Sequence, residues 1–196
     1  MPLTRWNPLT LWRDKRARQA RIAEIHGEIV AAARAPEIYA VLGVPDDLDG
    51  RFEVVVLHTG LVLRRLGELG ESARPWAQEI VDRVFVGFED ALRELSISDV
   101  GVAKRVKSMT GAFFGRTAVY HAALDAENRH TLAAALARNV YRNQATAESA
   151  GPRLLADRIF AIAASLEDVS LDDFTKGRFR FPFSQGVTHL TQGATR

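Results

Sequence analysis

Arg51-Phe52-Glu53-Val54-Val55-Val56-Leu57-His58-Thr59-Gly60-Leu61-Val62-Leu63-Arg64-Arg65-Leu66-Gly67-Glu68-Leu69 is the stretch on which the fold turns. From Val54 to Leu63 it is apolar nearly all round, the pattern of a helix enclosed on every side by others. His58, Thr59 and Gly60 interrupt the run, which falls well short of the roughly 20 apolar residues that a spanning helix needs. The stretch therefore predicts the central helix of a bundle, and no transmembrane segment.

Working toward the N-terminus, Asp46, Asp47, Asp49 and Gly50 form a turn whose acids suit the positive end of that helix. Before them a short helix through Ile38 and Leu42 stops at Gly43-Val44-Pro45, and Pro36 separates it from a basic amphipathic helix over 11–34. Ile22, Ile25, Ile29 and Ala33 share one face of that helix. Met1–Thr10, with Pro2 and Pro8, reads as an extended lead.

Working toward the C-terminus, Ser72 is a candidate N-cap with Pro75 in the first turn of a long helix. Ile80, Val84, Phe88, Ala91 and Leu95 mark its core face, and Glu79 with Arg83 and Glu89 with Arg93 form i,i+4 pairs on its outer face. Asp99 is the next candidate cap. Val102, Val106, Met109, Phe113, Thr117, Tyr120 and Leu124 then stripe a helix running to about Ala126. Helices over 131–141 and 152–166 follow. Beyond Asp168 the periodicity fades, and Arg178-Phe179-Arg180-Phe181-Pro182-Phe183 reads as extended and peripheral, its phenylalanines either packed across the bundle or stacked on RNA, with packing favoured. The expected architecture is all-α, an irregular single-domain helical bundle: a basic segment over 1–34, a helical domain over 35–168 and an extended C-terminal tail over 169–196.

Composition narrows the function classes. The chain has 196 residues, 47% of them hydrophobic, with a net charge of only +2. That suffices for a sizeable core and does not suggest binding driven by bulk charge. It has no cysteine, which removes disulfides, thiolate metal sites and cysteine nucleophiles. His26, His58, His121, His130 and His189 show no metal-ligand spacing, and no phosphate-cradling or nucleophile motif is present. The carboxylates lie scattered beside bases on helix faces. The expectation is a chain that is not an enzyme and takes no cofactor and no metal. The bias toward Ala, Arg and Leu points to a bacterial chain and a cytoplasmic location, with peripheral association at the inner face of the cytoplasmic membrane as a further expectation.

Binding is the alternative to catalysis, and the helix from Asp99 carries the clearest candidate. Opposite its apolar stripe, Ser108, Gly111 and Gly115 fall on one line and leave a shallow groove. Lys104 and Lys107 border it on one side, Arg105 and Arg116 on the other. Small residues at this spacing admit another helix backbone, which is either an internal helix of this protein or the helix of a partner. His58 is either a satisfied core histidine or a hydrogen-bonding group at a partner groove. Trp6 and Trp12 with the basic run from Arg13 to Arg21 suit a membrane surface or ribosomal RNA, and equally a solvated helix end.

A set of ordered blocks resembles the ubiquinol-cytochrome c chaperone family. The blocks are Leu57-His58 with Arg64-Arg65-Leu66, Ile80-Val81-Asp82 with Phe85, Leu92-Arg93-Glu94-Leu95, Asp99, Val102, Lys104-Arg105, Ala112-Phe113-Phe114-Gly115-Arg116, Tyr120, and the run from Leu132 to Tyr141. They span about 35–166. Where relatives carry glycines before the Asp99 helix this chain has Ser96 and Ser98, and Ala103 stands at a frequent proline. The resemblance implies an all-helical fold, no cofactor, and an assembly chaperone that binds newly made cytochrome b or a similar apolar membrane-protein client, with a ribosome-proximal role and a small helical cofactor protein in mitochondrial relatives. Ribosome contact is a further expectation for this chain, and DNA is not an expected partner. On that reading Arg64 and Arg65 join His58 and the groove residues as partner-binding candidates. A rival is a peripheral membrane- or ribosome-binding module acting through the basic N-terminal helix.

Overall fold

The structure, a computed structural model, describes residues 8–182. Its helices are α1 (Pro8–Ala33), α2 (Pro36–Ala40), α3 (Leu48–Glu68), α4 (Arg74–Glu94), α5 (Asp99–Asp125), α6 (Arg129–Asn139), α7 (Ala150–Leu166) and α8 (Leu171–Thr175), with a 3-10 turn at Glu71–Ala73 before α4. The described residues contain no strand, as the helical periodicities require.

α3 is the central element: α1, α4, α5 and α7 all pack on it. Val54, Val56, Leu57, Leu61, Val62 and Leu66 are buried, each such side chain contributing about 2 kcal/mol through removal from water. Asp47 caps the helix, its side chain accepting from the backbone N–H of Gly50 at 2.8 Å.

Helix limits differ from the sequence reading where local chemistry decides them. α1 already begins at Pro8, a residue suited to a first helical position because the missing N–H has no intrahelical partner there. Ser72 lies inside the 3-10 turn and caps nothing, while Ser98 and not Asp99 caps α5, accepting from Gly101 N–H. Glu79 pairs with Arg18 of α1 at 2.8 Å instead of with Arg83 on its own helix. Leu95, expected in the core, is 57% exposed at the end of α4. Ser96 follows it at φ 57°, the left-handed position that closes many helices and favours glycine.

The stretch after Asp168 is less peripheral than its composition suggests. Ser170 and Asp173 form a reciprocal capping box that starts α8, and Phe174, Phe179 and Phe181 are buried. Phe174 stacks on Phe179 at 4.8 Å, Phe179 meets Phe181 edge-on at 6.0 Å, and the Phe181 N–H donates to Glu28 Oε2 of α1 at 3.0 Å. Short aromatic segments carry no helical period, so a periodicity reading passes over them. Trp6, Phe183, His189 and the glycines at 186 and 193 lie outside the described residues.

Candidate functional site

α5 owes its orientation to one close crossing. Gly60 of α3 faces Thr117, whose Cγ2 would lie 3.1 Å from a Cβ at position 60. His121 Nε2 donates to the Gly60 carbonyl across the same crossing at 2.8 Å. With backbones this close, α5 turns Val102, Met109, Phe113, Thr117, Tyr120 and Leu124 into the core. The positions half a turn away must then face outward.

Ser108, Gly111 and Gly115 do so, and all three are exposed. No heavy atom of a described residue outside their own turns lies within 4 Å of where a Cβ would sit on Gly111 or Gly115. Among the described residues, then, no internal helix fills the groove, although the bundle could have used its small residues that way. Helical spacing places Lys107 and Phe114 on one flank, with Arg105, Arg116 and Val119 on the other. Phe114 is 56% exposed while its ring stands edge-on to buried Phe113 at 5.3 Å. An aromatic ring anchored on the core but left in water has the form of a binding anchor.

The basic flanks are not equivalent. Lys104 and Lys107 are exposed and form no ion pair with a described residue. Arg105 is paired with Asp49, and Arg116 with Glu53 at 2.7 Å. These pairs open a second feature, a cleft of about 430 Å³ between the start of α3, the Arg flank of α5 and the end of α6. Arg138 and Arg142 line its far wall, and Arg142 also reaches Asp47 at 2.6 Å. Phe52 and Met109 give it an apolar base.

Glu53 is only 4% exposed, and one of its oxygens, Oε2, has no hydrogen-bond partner among the described residues. Burial raises its carboxyl, with Arg116 opposing and Asp49 adding to the rise, to about 7. Behind it Tyr120 is buried, and Asn139 Nδ2 donates to the Tyr120 hydroxyl at 3.2 Å. Burial pushes that phenol well above its ordinary range.

Three candidates stand away from the groove. His58 is fully buried, its Nδ1 donating to the Val54 carbonyl at 2.8 Å and its ring 5.1 Å from that of Phe181. It is a core histidine held neutral by desolvation, with its pKa lowered to about 4. Arg64 ties the end of α3 to the end of α5 through Asp125 at 3.0 Å, and also meets Glu68 at 2.7 Å. Arg65 donates to the Val169 carbonyl at 2.8 Å and so holds the chain leaving α7. Both arginines are occupied inside the fold, which explains a pattern of cations at the end of a buried helix without a partner.

Sequence reasoning missed the far side of the cleft. Glu53 carried a usable signal, an acid at the edge of an apolar helix that must be buried with it. Arg138 and Arg142 carried none, because their approach to α5 depends on how α6 folds back. Among the described residues no helix is long and apolar enough to cross a membrane.

A sequence profile described as ubiquinol-cytochrome C chaperone matches residues 40–181. The crystal structure of the Cbp3 homolog from Brucella abortus is similar to this chain at 36% identity and a TM-score of 0.79, covering 91% of this chain and 98% of that one. No curated protein matches the chain.

Proposed function

The chain belongs to the ubiquinol-cytochrome C chaperone family, and from that premise we propose that it holds newly made cytochrome b, or a similar apolar membrane-protein segment, on the outer face of α5 during assembly of the respiratory bc complex. The observation that carries this reading is the unfilled line of Ser108, Gly111 and Gly115 beside the exposed ring of Phe114. A client helix laid along it approaches the backbone of α5 closely and covers Phe114. Lys104 and Lys107 supply positive charge at the edge of the groove. Retention by mass action needs no nucleotide: the client stays while its apolar surface has no better partner.

The test is capture from native membranes by the tagged full chain, comparing wild type with Gly115→Leu and Phe114→Glu. Both positions are exposed, so far-UV circular dichroism and wild-type melting establish that each variant is folded. Loss of cytochrome b from folded variants supports the groove. Equal capture by wild type and variants removes the groove from the reading, and absence of cytochrome b from the wild-type capture removes the client.

A second reading rests on α1. Trp12 is 75% exposed, and Arg13, Lys15 and Arg16 are exposed around it, a composition suited to an anionic surface such as a lipid bilayer or ribosomal RNA. Ile22, Ile25 and Ile29 of the same helix are core residues, so deleting the helix would damage the fold. Arg13, Lys15 and Arg16 changed together to Gln is the sound perturbation. Loss of salt-sensitive liposome or ribosome binding with client capture intact would assign this segment to targeting.

A further inference from the structure

The cleft beside the groove carries charge that client binding by α5 does not use. Four guanidinium groups, from Arg105, Arg116, Arg138 and Arg142, line it, and three of them are paired, with Asp49, Glu53 and Asp47, which leaves Arg138 without an acid among the described residues. The Arg105–Asp49 and Arg142–Asp47 pairs are solvent-facing, and such pairs hold so weakly that a stronger acceptor displaces them. Arg138 is exposed and forms no ion pair with a described residue. The cleft thus offers one guanidinium unpaired among the described residues, Arg138, beside Arg105 and Arg142, whose solvent-facing pairs a stronger anion displaces.

Its inner wall adds an independent observation. Glu53 lines the cleft while 4% exposed, and its Oε2 lacks any hydrogen-bond donor among the described residues. A buried carboxylate oxygen left without a donor is costly. A ligand with anionic oxygens satisfies the arginines, and a hydroxyl on it satisfies Oε2 once the Glu53 side chain turns toward the cleft. Guanidinium matches phosphoryl oxygens in fork geometry, and about 430 Å³ is ample for a phosphate bearing a small polyol.

We propose that the cleft between α3, α5 and α6 binds a phosphoryl group carrying a hydroxylated substituent, with Arg138 and Arg142 on the phosphoryl oxygens and the buried Glu53 side chain turning toward the cleft to accept from a hydroxyl. Free glycerol phosphate and the headgroup of phosphatidylglycerol share this chemistry. The inference does not depend on the client groove, since its key residues lie on α3, α6 and the turn after α6.

The first arm is thermal denaturation of the full chain in glycerol 3-phosphate against sodium chloride of matched ionic strength, for wild type, for Arg138→Gln with Arg142→Asn, and for Arg93→Gln on α4. Asn suits position 142, which sits at φ 51°. Wild type and Arg93→Gln should melt higher with a saturable dependence on glycerol phosphate. The double variant should bind at least ~10-fold more weakly, as expected for lost charge-assisted hydrogen bonds. Asn143→Asp, which adds a like charge to the same wall without removing an arginine, should weaken binding too, covering the case in which the double variant does not fold.

The second arm is flotation with phosphatidylcholine vesicles with and without phosphatidylglycerol. Binding that needs phosphatidylglycerol and fails in the cleft variants supports the site with a lipid as its source. Binding of glycerol phosphate without flotation supports it with a soluble source. The proposal is overturned if glycerol phosphate acts no differently from chloride, or if the cleft variants bind it as tightly as wild type. It falls equally if a capped acidic peptide binds through these arginines and glycerol phosphate does not.

Discussion

Replacing Glu53 with Gln should make the protein more stable above neutrality, although it removes one half of an ion pair. The carboxyl is 4% exposed, and burial outweighs the attraction of Arg116, raising it from the ordinary 4.5 to about 7. Between those values the unfolded chain has released the proton and the folded chain still holds it. The stability contributed by Glu53 is therefore complete below pH 4.5 and lost as pH rises to about 7, a fall of about 3 kcal/mol at ~1.4 kcal/mol for each pH unit. Buried His58 has the opposite sign. Its pKa is lowered from 6.5 to about 4, so the unfolded chain takes up a proton that the fold refuses, and its contribution is lost as pH falls through that window. The two slopes nearly cancel between pH 4.5 and 6.5 in wild type. Glu53→Gln keeps a neutral acceptor for Arg116 and removes one slope, so its stability should rise steadily toward pH 6.5 and exceed wild type by about 3 kcal/mol at pH 8. Urea denaturation of both proteins at pH 5, 6, 7 and 8 measures the difference, in which other titrating groups cancel. A variant less stable than wild type at pH 8 would show that Arg116 stabilises the carboxylate more than burial disfavours it, and the reasoning would be wrong.

Gly60→Ala should cost about 1–3 kcal/mol by forcing α3 from Thr117, whereas Gly111→Ala, with open space around it, should gain up to about 1 kcal/mol from helix propensity; urea midpoints compare them, and a large loss at 111 would mean that the groove is filled. Phe181→Ala should destabilise by about 3 kcal/mol, seen in the same assay, because Phe181 is 2% exposed between His58 and Phe179. Asp47→Ala removes the cap of α3 and the partner of Arg142 and should lower stability by about 1 kcal/mol, with amide exchange rising first in the opening turn of α3.

The central role of α3 and the inward stripe of α5 were legible because an apolar periodicity long enough to cover several turns has one physical solution, burial on that face. The outward position of Gly111 and Gly115 followed from the same stripe, but whether anything lay on them did not, since small residues serve internal and external contacts alike. His58 could be read from the sequence either as a core histidine or as a group at a partner groove, because a polar residue in an apolar run is ambiguous until its Val54 acceptor is seen. The contacts of Arg64 and Arg65 with Asp125 and Val169, 61 and 104 residues away, lie beyond any local pattern, while their pairs with Glu68 fall within one. α8 escaped notice because one turn of helix is set by its capping box and not by a repeat.

The hydrogen bond from Phe181 to Glu28 joins residues 153 apart in the chain. Helical bundles usually form from neighbouring contacts and so fold early and fast, but this one keeps the fastening of α1 until residue 181 has been made. During synthesis α1 must wait, lying against α3 and α4 without its clasp, while the aromatic segment is still to come. The apolar face that α1 shares with Phe174, Phe179 and Phe181 is therefore fully covered only after residue 181 has joined the bundle.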